Sequence, residues 1–291
     1  MTEKYITVKV SDTTSKVIER LLRVNSVENI FDFHLWIAGG FARIIGKVDE
    51  QSLDPKKTIY EYFRSLNGDI DIFGKNINDI TSLINTNANQ YDWNYKSPFA
   101  INCNSKNTYD DDDDVHNITK IQFVTEFLYD SFDKCLDNFD FTNCKYALFK
   151  DNENYYLRKD KRAEDFNSRR MLNIDKCVSP LLGQRIIKYF RRHGFKGLTK
   201  TKETSNSFNT YLLKILSSSW DDIFNRLGNL DEISDYYIRR LHEHKPLTDE
   251  ELSLFIGKFE SVLTEKINYS YGFYLKEIGI TDWASNEIRK K

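Results

Sequence analysis

Cysteine, proline, glycine and net charge are all in short supply in this sequence. The four cysteines, Cys103, Cys135, Cys144 and Cys177, include no CxxC pair. That spacing argues against structural zinc and against a disulfide framework, so they read as reduced, mostly buried thiols. Only four prolines and twelve glycines stand among 291 residues, which leaves few turns punctuated and favours long helices. No stretch approaches the roughly 18 consecutive apolar residues that a membrane helix needs. The opening MTEKYITVKV lacks the apolar centre of a secretory signal. A cytoplasmic protein with no membrane partner is expected. Lys+Arg 42 against Asp+Glu 44 leaves a formal charge of −2. This speaks against a globally basic nucleic-acid binder but leaves room for a local basic face. What is present, 40% hydrophobic and 30% charged residues, is an ordinary globular composition able to build a substantial core.

Along the chain, Tyr5 to Val10 alternates weakly and reads as an edge strand. Val17, Ile18, Leu21 and Leu22 then recur at helical spacing, with Ser11 or Asp12 as the cap. The apolar run Leu35-Trp36-Ile37-Ala38 ends in Gly39-Gly40 and leads into Phe41-Ala42-Arg43-Ile44-Ile45, a strand, tight turn and helix. Pro55 to Leu66 reads as a helix with proline near its first turn and Ile59, Tyr62, Phe63 and Leu66 on one face. Gly68-Asp69-Ile70-Asp71-Ile72-Phe73 alternates with period two, so Ile70 and Ile72 face one way and Asp69 and Asp71 the other. Asn85 to Asn117 is polar; within it Pro98 to Cys103 reads as a strand and Asp110 to Asp114 as an acidic loop tip, with Ile118 to Val124 returning. A short helix, Ser131 to Asn138, precedes Phe139-Asp140-Phe141 and a strand reaching about Phe149. From Arg158 onward the pattern reads as almost wholly helical, through Leu181 to His193, Phe208 to Leu216, Trp220 to Leu227, Leu230 to His244 and a helix start at Pro246.

Three features in this order carry chemistry: strand-Gly39-Gly40-x-x-Arg43, then Gly68-Asp69-Ile70-Asp71, then Asp140 opening a later strand. Carboxylates at i and i+2 of a strand share a face, about 6–7 Å apart at Cβ by strand rise. A pair at that separation can ligate one hard cation, and a third carboxylate from a neighbouring strand can hold a second ion. Mg²⁺ is held by one or two carboxylates together with substrate phosphates. Two such ions about 3.5–4 Å apart clamp the attacking and leaving oxygens of a phosphoryl displacement. A Gly-Gly turn opening a helix presents backbone N–H groups suited to phosphate.

The ordered set resembles the DNA polymerase β-like nucleotidyltransferase superfamily, whose pattern is hG[GS], a helix, hDhDh, then a further hDh. Within it, Phe139-Asp140-Phe141-Thr142-Asn143-Cys144-Lys145-Tyr146-Ala147 resembles the RRDFTINAxAY segment of bacterial-type CCA-adding and poly(A) polymerases. Ser179 to Phe195 resembles that family's DPxRxLRxxRFxxRxGF helix. The likeness spans roughly residues 35 to 197 and has the character of a divergent member, of the sort found in phages or large DNA viruses, placed in host cytoplasm or virion. It implies Asp69 and Asp71 as metal-binding carboxylates, with Asp140 either the third or the Asp of the DFTIN-like segment. It implies Gly39, Gly40 and Arg43 at the NTP phosphates. Arg185, Lys188 and Arg192, at i, i+3 and i+7 of one helix, form a basic face suited to triphosphate or a nucleic-acid backbone. The implied cofactors are Mg²⁺ or Mn²⁺ with an NTP, ATP first. The implied reaction is two-metal-ion, template-independent transfer of NMP to an acceptor hydroxyl at an RNA 3′ end. Nucleotidylylation of a protein or small molecule, and a non-catalytic binding subunit, are the alternatives. Asn138-Phe139 replaces the family's Arg-Arg pair, and Val178-Ser179-Pro180 replaces its acidic-Asp-Pro, at positions that serve ribose and base recognition there.

The expected architecture is α+β. A nucleotidyltransferase palm over 1–157, with a mixed, mainly antiparallel sheet, is followed by an all-α domain over 158–291. His242-Glu243-His244 lacks metal-ligand spacing on a helix, and the C-terminal aromatics, Tyr236 to Tyr274, read as core.

Overall fold

A computed structural model describes residues 3–66, 68–96, 100–106, 120–175 and 182–200. The chain divides into two units, Met1–Asp165 and Phe166–Lys291. In the first, strand β1 (Tyr5–Lys9) leads into helix α1 (Asp12–Val24). The Ser11 hydroxyl accepts from the Thr14 amide, and Asp49 in turn accepts from the Ser11 amide and hydroxyl at 2.8 Å each. This N-cap satisfies donors that the helix leaves open. Strand β2 (Trp36–Ala38) runs straight into helix α2 (Gly40–Glu50). Helix α3 (Pro55–Arg64) starts on Asp54, whose carboxylate accepts from the Lys57 amide, with Pro55 in its first turn. Strand β3 (Asp69–Phe73), helix α4 (Ile77–Thr86) and strands β4 (Tyr91–Lys96), β5 (Ala100–Ser105) and β6 (Lys120–Val124) follow. Helix α5 (Phe132–Asp137), strands β7 (Tyr146–Asp151) and β8 (Asn154–Asp160) and helix α6 (Ala163–Ser168) come next.

The strands form one eight-stranded sheet in the order β1-β8-β7-β2-β3-β6-β5-β4. Its one parallel pair is β3 with β6; the other pairs are antiparallel. The mixed, mainly antiparallel α+β architecture is as the sequence pattern predicts. Period-two alternation gives the sheet two apolar faces. Ile37, Ile70, Ile72, Leu148 and Leu157 pack with Ile18, Leu22, Phe41, Ile45, Ile59 and Phe63 from the first three helices. Trp36, Ala38, Phe73, Val124 and Ala147 form the opposite cluster with Leu136 of α5. Each fully buried Ile, Leu or Phe contributes about 1.5–3 kcal/mol. Asp69 and Asp71 alternate with the fully buried Ile70 and Ile72, so the carboxylates lie on the face of Phe73. In the second unit, strand β9 (Met171–Ile174) and strand β10 (Gly197–Lys200) pair in parallel, with helix α7 (Leu182–His193) between them in sequence.

Three readings of the sequence are corrected. The stretch from Arg158, read as helical, continues β8 to Asp160 and carries β9 and β10. The inward positions of β8 include a lysine, Lys159, buried against Glu50, and the charge conceals the alternation. Asp140 does not open a strand. It sits in a bend before the 3₁₀ turn Thr142–Cys144, and β7 begins only at Tyr146. Strand β4, YDWNYK, lies in a stretch read only as polar. The acidic run Asp110–Asp114, the helices expected at 208–216, 220–227 and 230–244, and His242 to His244 lie outside the described residues.

Candidate functional site

Gly39 is where the fold turns a buried strand into a helix. Its backbone, at φ 85° and ψ −131°, is one that side chains other than glycine's rarely adopt. A Cβ there would stand 3.2 Å from Cε1 of Phe139 and 3.6 Å from Oδ2 of Asp71. The Gly39 amide donates to the Tyr146 carbonyl at 3.0 Å, and its carbonyl accepts from the Arg43 amide at 2.9 Å, starting α2. As N-cap, Gly39 supplies no side-chain acceptor, and the first turn carries no acidic residue. The positive end of the α2 dipole therefore meets no acceptor from its own cap or first turn.

The register places Asp71 across from Ala38 on β2 and beside Gln122 on β6, while Asp69 is beside Lys120. Both carboxylate residues are half-exposed. Asp69 is also gripped from α3. The Tyr62 hydroxyl stands 3.1 Å from the Asp69 carbonyl oxygen and 3.4 Å from Oδ1, and it accepts from the Asp69 amide at 3.3 Å. Burial pushes the Tyr62 phenol well above its ordinary value, and the Asp69 and Asp71 charges push the same way. The hydroxyl thus stays a neutral donor.

The structure brings together Gly39, Gly40, Asp69 and Asp71. Arg43 lies one turn into α2 but is only 4% exposed, so it belongs to the packed wall. Asp140 is 1% exposed and follows Phe139, the ring that touches Gly39. Among the described residues no group of three or more His, Cys, Asp or Glu side chains comes together as a metal cluster. The Asp69–Asp71 pair, two oxygen donors on one strand face, fits a hard divalent cation whose shell is completed by water and phosphate. Arg185, Lys188 and Arg192 are on α7 in the second unit, Arg185 and Arg192 exposed and Lys188 half-buried. Sequence reasoning missed Tyr62 and Phe139. Tyr62 read as one more apolar-face residue of a helix, and only the third dimension sets it against Asp69.

No helix among the described residues is long and apolar enough to cross a membrane. No curated protein matches the chain. Among solved structures, a CCA-adding enzyme in apo form I matches at 15% identity and TM-score 0.44, over 82% of this chain and 54% of that one. The Thermotoga maritima CCA-adding enzyme complexed with tRNA matches at 12% identity and TM-score 0.45, over 88% and 55%. A CCA-adding enzyme complexed with ATP matches at 13% and 0.43, over 95% and 55%. The chain spans about half the length of these proteins. The family model described as Gabija anti-defense 2 family protein matches residues 7–169, more than half of the chain. That span runs from within β1 through α6 and holds the whole Gly39–Asp71 site, and the chain belongs to the Gabija anti-defense 2 family.

Proposed function

We propose that this protein is a nucleotidyltransferase that counters the Gabija defence by transferring NMP from an NTP to an acceptor hydroxyl. The observation that carries the reading is the meeting of Asp71 with Gly39 at the N-terminus of α2. A nucleotide's phosphates bound at that turn lie beside the two carboxylates. Asp69 and Asp71 would hold Mg²⁺, or Mn²⁺, which when bound supplies positive charge to the phosphate oxygens. The Gly39-Gly40 turn would orient the triphosphate through backbone N–H groups. The acceptor hydroxyl loses its proton to solvent as its oxygen attacks the α-phosphorus, the bond from that phosphorus to the oxygen bridging to the β-phosphate breaks, and pyrophosphate leaves. Asp140 is proposed as a further acidic residue of the site, tested by Asp140→Asn. Arg43 is proposed to hold the wall beside the turn. Arg185, Lys188 and Arg192 of α7 are proposed as a basic face suited to a nucleic-acid backbone.

ATP is the first candidate donor, and an RNA 3′ end is the acceptor that the DFTIN-like segment favours. A second reading, nucleotidylylation of a protein, is favoured by the family's name, which ties the chain to a defence system. The test is a labelled-NTP assay with each of four NTPs and Mg²⁺ or Mn²⁺. It is run with an RNA pool and, separately, with purified Gabija proteins, beside the Asp69→Ala/Asp71→Ala variant. Label on RNA from the unmodified protein alone supports the first acceptor, and label on protein supports the second. Nucleotide binding or transfer that survives unchanged in the double variant would overturn the reading.

A further inference from the structure

We infer that Tyr62 is the positioning residue of the Asp69 carboxylate, seated by two glycines, Gly40 and Gly68, that clear space for it. The inference rests on the proposed role of Asp69 as a cation ligand and adds the group that orients it. The carbonyl, amide and carboxylate of Asp69 all converge on one phenolic oxygen, at 3.1, 3.3 and 3.4 Å. A phenol has one proton to give and lone pairs to receive. The amide donates to it, and its proton is shared between two acceptors of the same residue. A carboxylate tethered this way cannot rotate freely about its own side chain.

The tyrosine is equally fixed. A Cβ on Gly68 would lie 2.3 Å from Cε1 and 2.5 Å from Cζ of Tyr62. One on Gly40 would lie 2.6 Å from the hydroxyl oxygen but 3.5 Å from Cζ. Phe63 and Phe41 close the remaining sides, with ring centroids 5.0 and 6.3 Å away. Gly40 stands in the first turn of α2 and is not among the residues of positive φ, so its backbone tolerates alanine, the better helix former. Its missing side chain is explained by the Tyr62 hydroxyl. The glycines that border the two motifs, one opening α2 and one before β3, thus serve a single ring.

Two measurements on the full chain test this. In thermal melts, Gly40→Ala lowers the melting temperature in the unmodified protein and is harmless in Tyr62→Phe, where the ring contacts at 3.5 and 3.8 Å are ordinary ones. Gly68→Ala is harmful in both backgrounds, because it meets the ring. In Mn²⁺ titrations followed by electron paramagnetic resonance, Tyr62→Phe weakens binding roughly 10–100-fold, the usual effect of losing a partner behind a metal ligand. Asp69→Asn abolishes it. Equal harm from Gly40→Ala in both backgrounds would overturn the seating. Unchanged Mn²⁺ affinity in Tyr62→Phe, with Asp69→Asn dead, would overturn the positioning role and leave the cation reading standing. Unchanged affinity in Asp69→Asn would overturn both. A Tyr62→Phe melt as low as that of Gly68→Ala would make the hydroxyl a structural prop and overturn the positioning role too.

Discussion

Replacing Gly39 by alanine tests whether the turn at the head of α2 is built on strain that only glycine escapes. Backbone held in a region that L-residues rarely enter costs about 1–3 kcal/mol, and Gly39 sits at φ 85°, ψ −131°. Part of this is returned because alanine loses less freedom on folding, about 0.4–1 kcal/mol. The methyl group then meets Cε1 of Phe139 at 3.2 Å, so the ring must give way. A net loss of about 1–2 kcal/mol follows, and at roughly 2–4 °C per kcal/mol for a unit of this size the melting temperature falls by about 2–8 °C. Gly194→Ala is the control. It also has a positive φ, 69°, but a Cβ there meets nothing within 4 Å, so it reports strain without a contact. The assay is a thermal melt of each variant, with Gly39→Ala also made in Phe139→Ala. That background relieves the contact and keeps the strain, so the loss from Gly39→Ala shrinks there but does not vanish. A Gly39→Ala melt within about 1 °C of the unmodified protein would show that the turn holds no such strain.

Gly46→Ala runs against helix propensity. Alanine is about 1 kcal/mol the better residue in a helix interior, but its Cβ would stand 2.5 Å from Cε1 of the fully buried Tyr146. A melt should show net destabilisation of about 1–3 kcal/mol from overpacking. Lys159 bonds Glu50 at 2.6 Å and Glu164 at 3.0 Å, with Lys159 and Glu50 only 6% and 11% exposed. Lys159→Met strands the Glu50 charge and should cost about 3–5 kcal/mol in urea unfolding, much of it recovered by adding Glu50→Gln. Burial pulls the Lys159 ammonium down, but the hydrogen bonds and charges of Glu50 and Glu164 outweigh it and leave it raised. A raised folded value means that this stability is complete below the unfolded lysine value, about 10.4, and is lost as pH rises through the folded one. Urea unfolding across pH 8 to 12 should show the loss only at the alkaline end, and Lys159→Met should remove it. Burial pushes the Cys103 and Cys135 thiols up to about 12. Mass spectrometry should find both unmodified by iodoacetamide at pH 8 until the protein is unfolded.

The parts of the fold that sequence displays are those with one local period and a punctuated end. Trp36 to Ala38 followed by two glycines, and the alternation Ile70, Ile72 against Asp69, Asp71, appear as strands in register with one another. Helices α1 and α3 announce themselves through Ser11 and through Asp54-Pro55. Strand β8 did not, because its inward set Tyr155, Leu157 and Lys159 includes a cation whose partner, Glu50, lies 109 residues earlier. Asp140 read as a strand residue because Phe139 and Phe141 flank it, yet Asp140 is at a bend and Phe141 caps the 3₁₀ turn that follows. At the site, the carboxylate pair and the glycine turn were visible as motifs. Tyr62 was not, since its meaning depends on Gly40, Gly68 and Asp69 converging through packing.

The most direct test of the central claim is pyrophosphate release from labelled NTP with Mg²⁺, RNA and Gabija proteins present, compared with Asp69→Ala/Asp71→Ala. Removing two half-exposed like charges should leave the melting temperature nearly unchanged. Release by the unmodified protein and none by the folded double variant is the expected result. Equal release from both, or none from either despite intact folding and bound nucleotide, would contradict it.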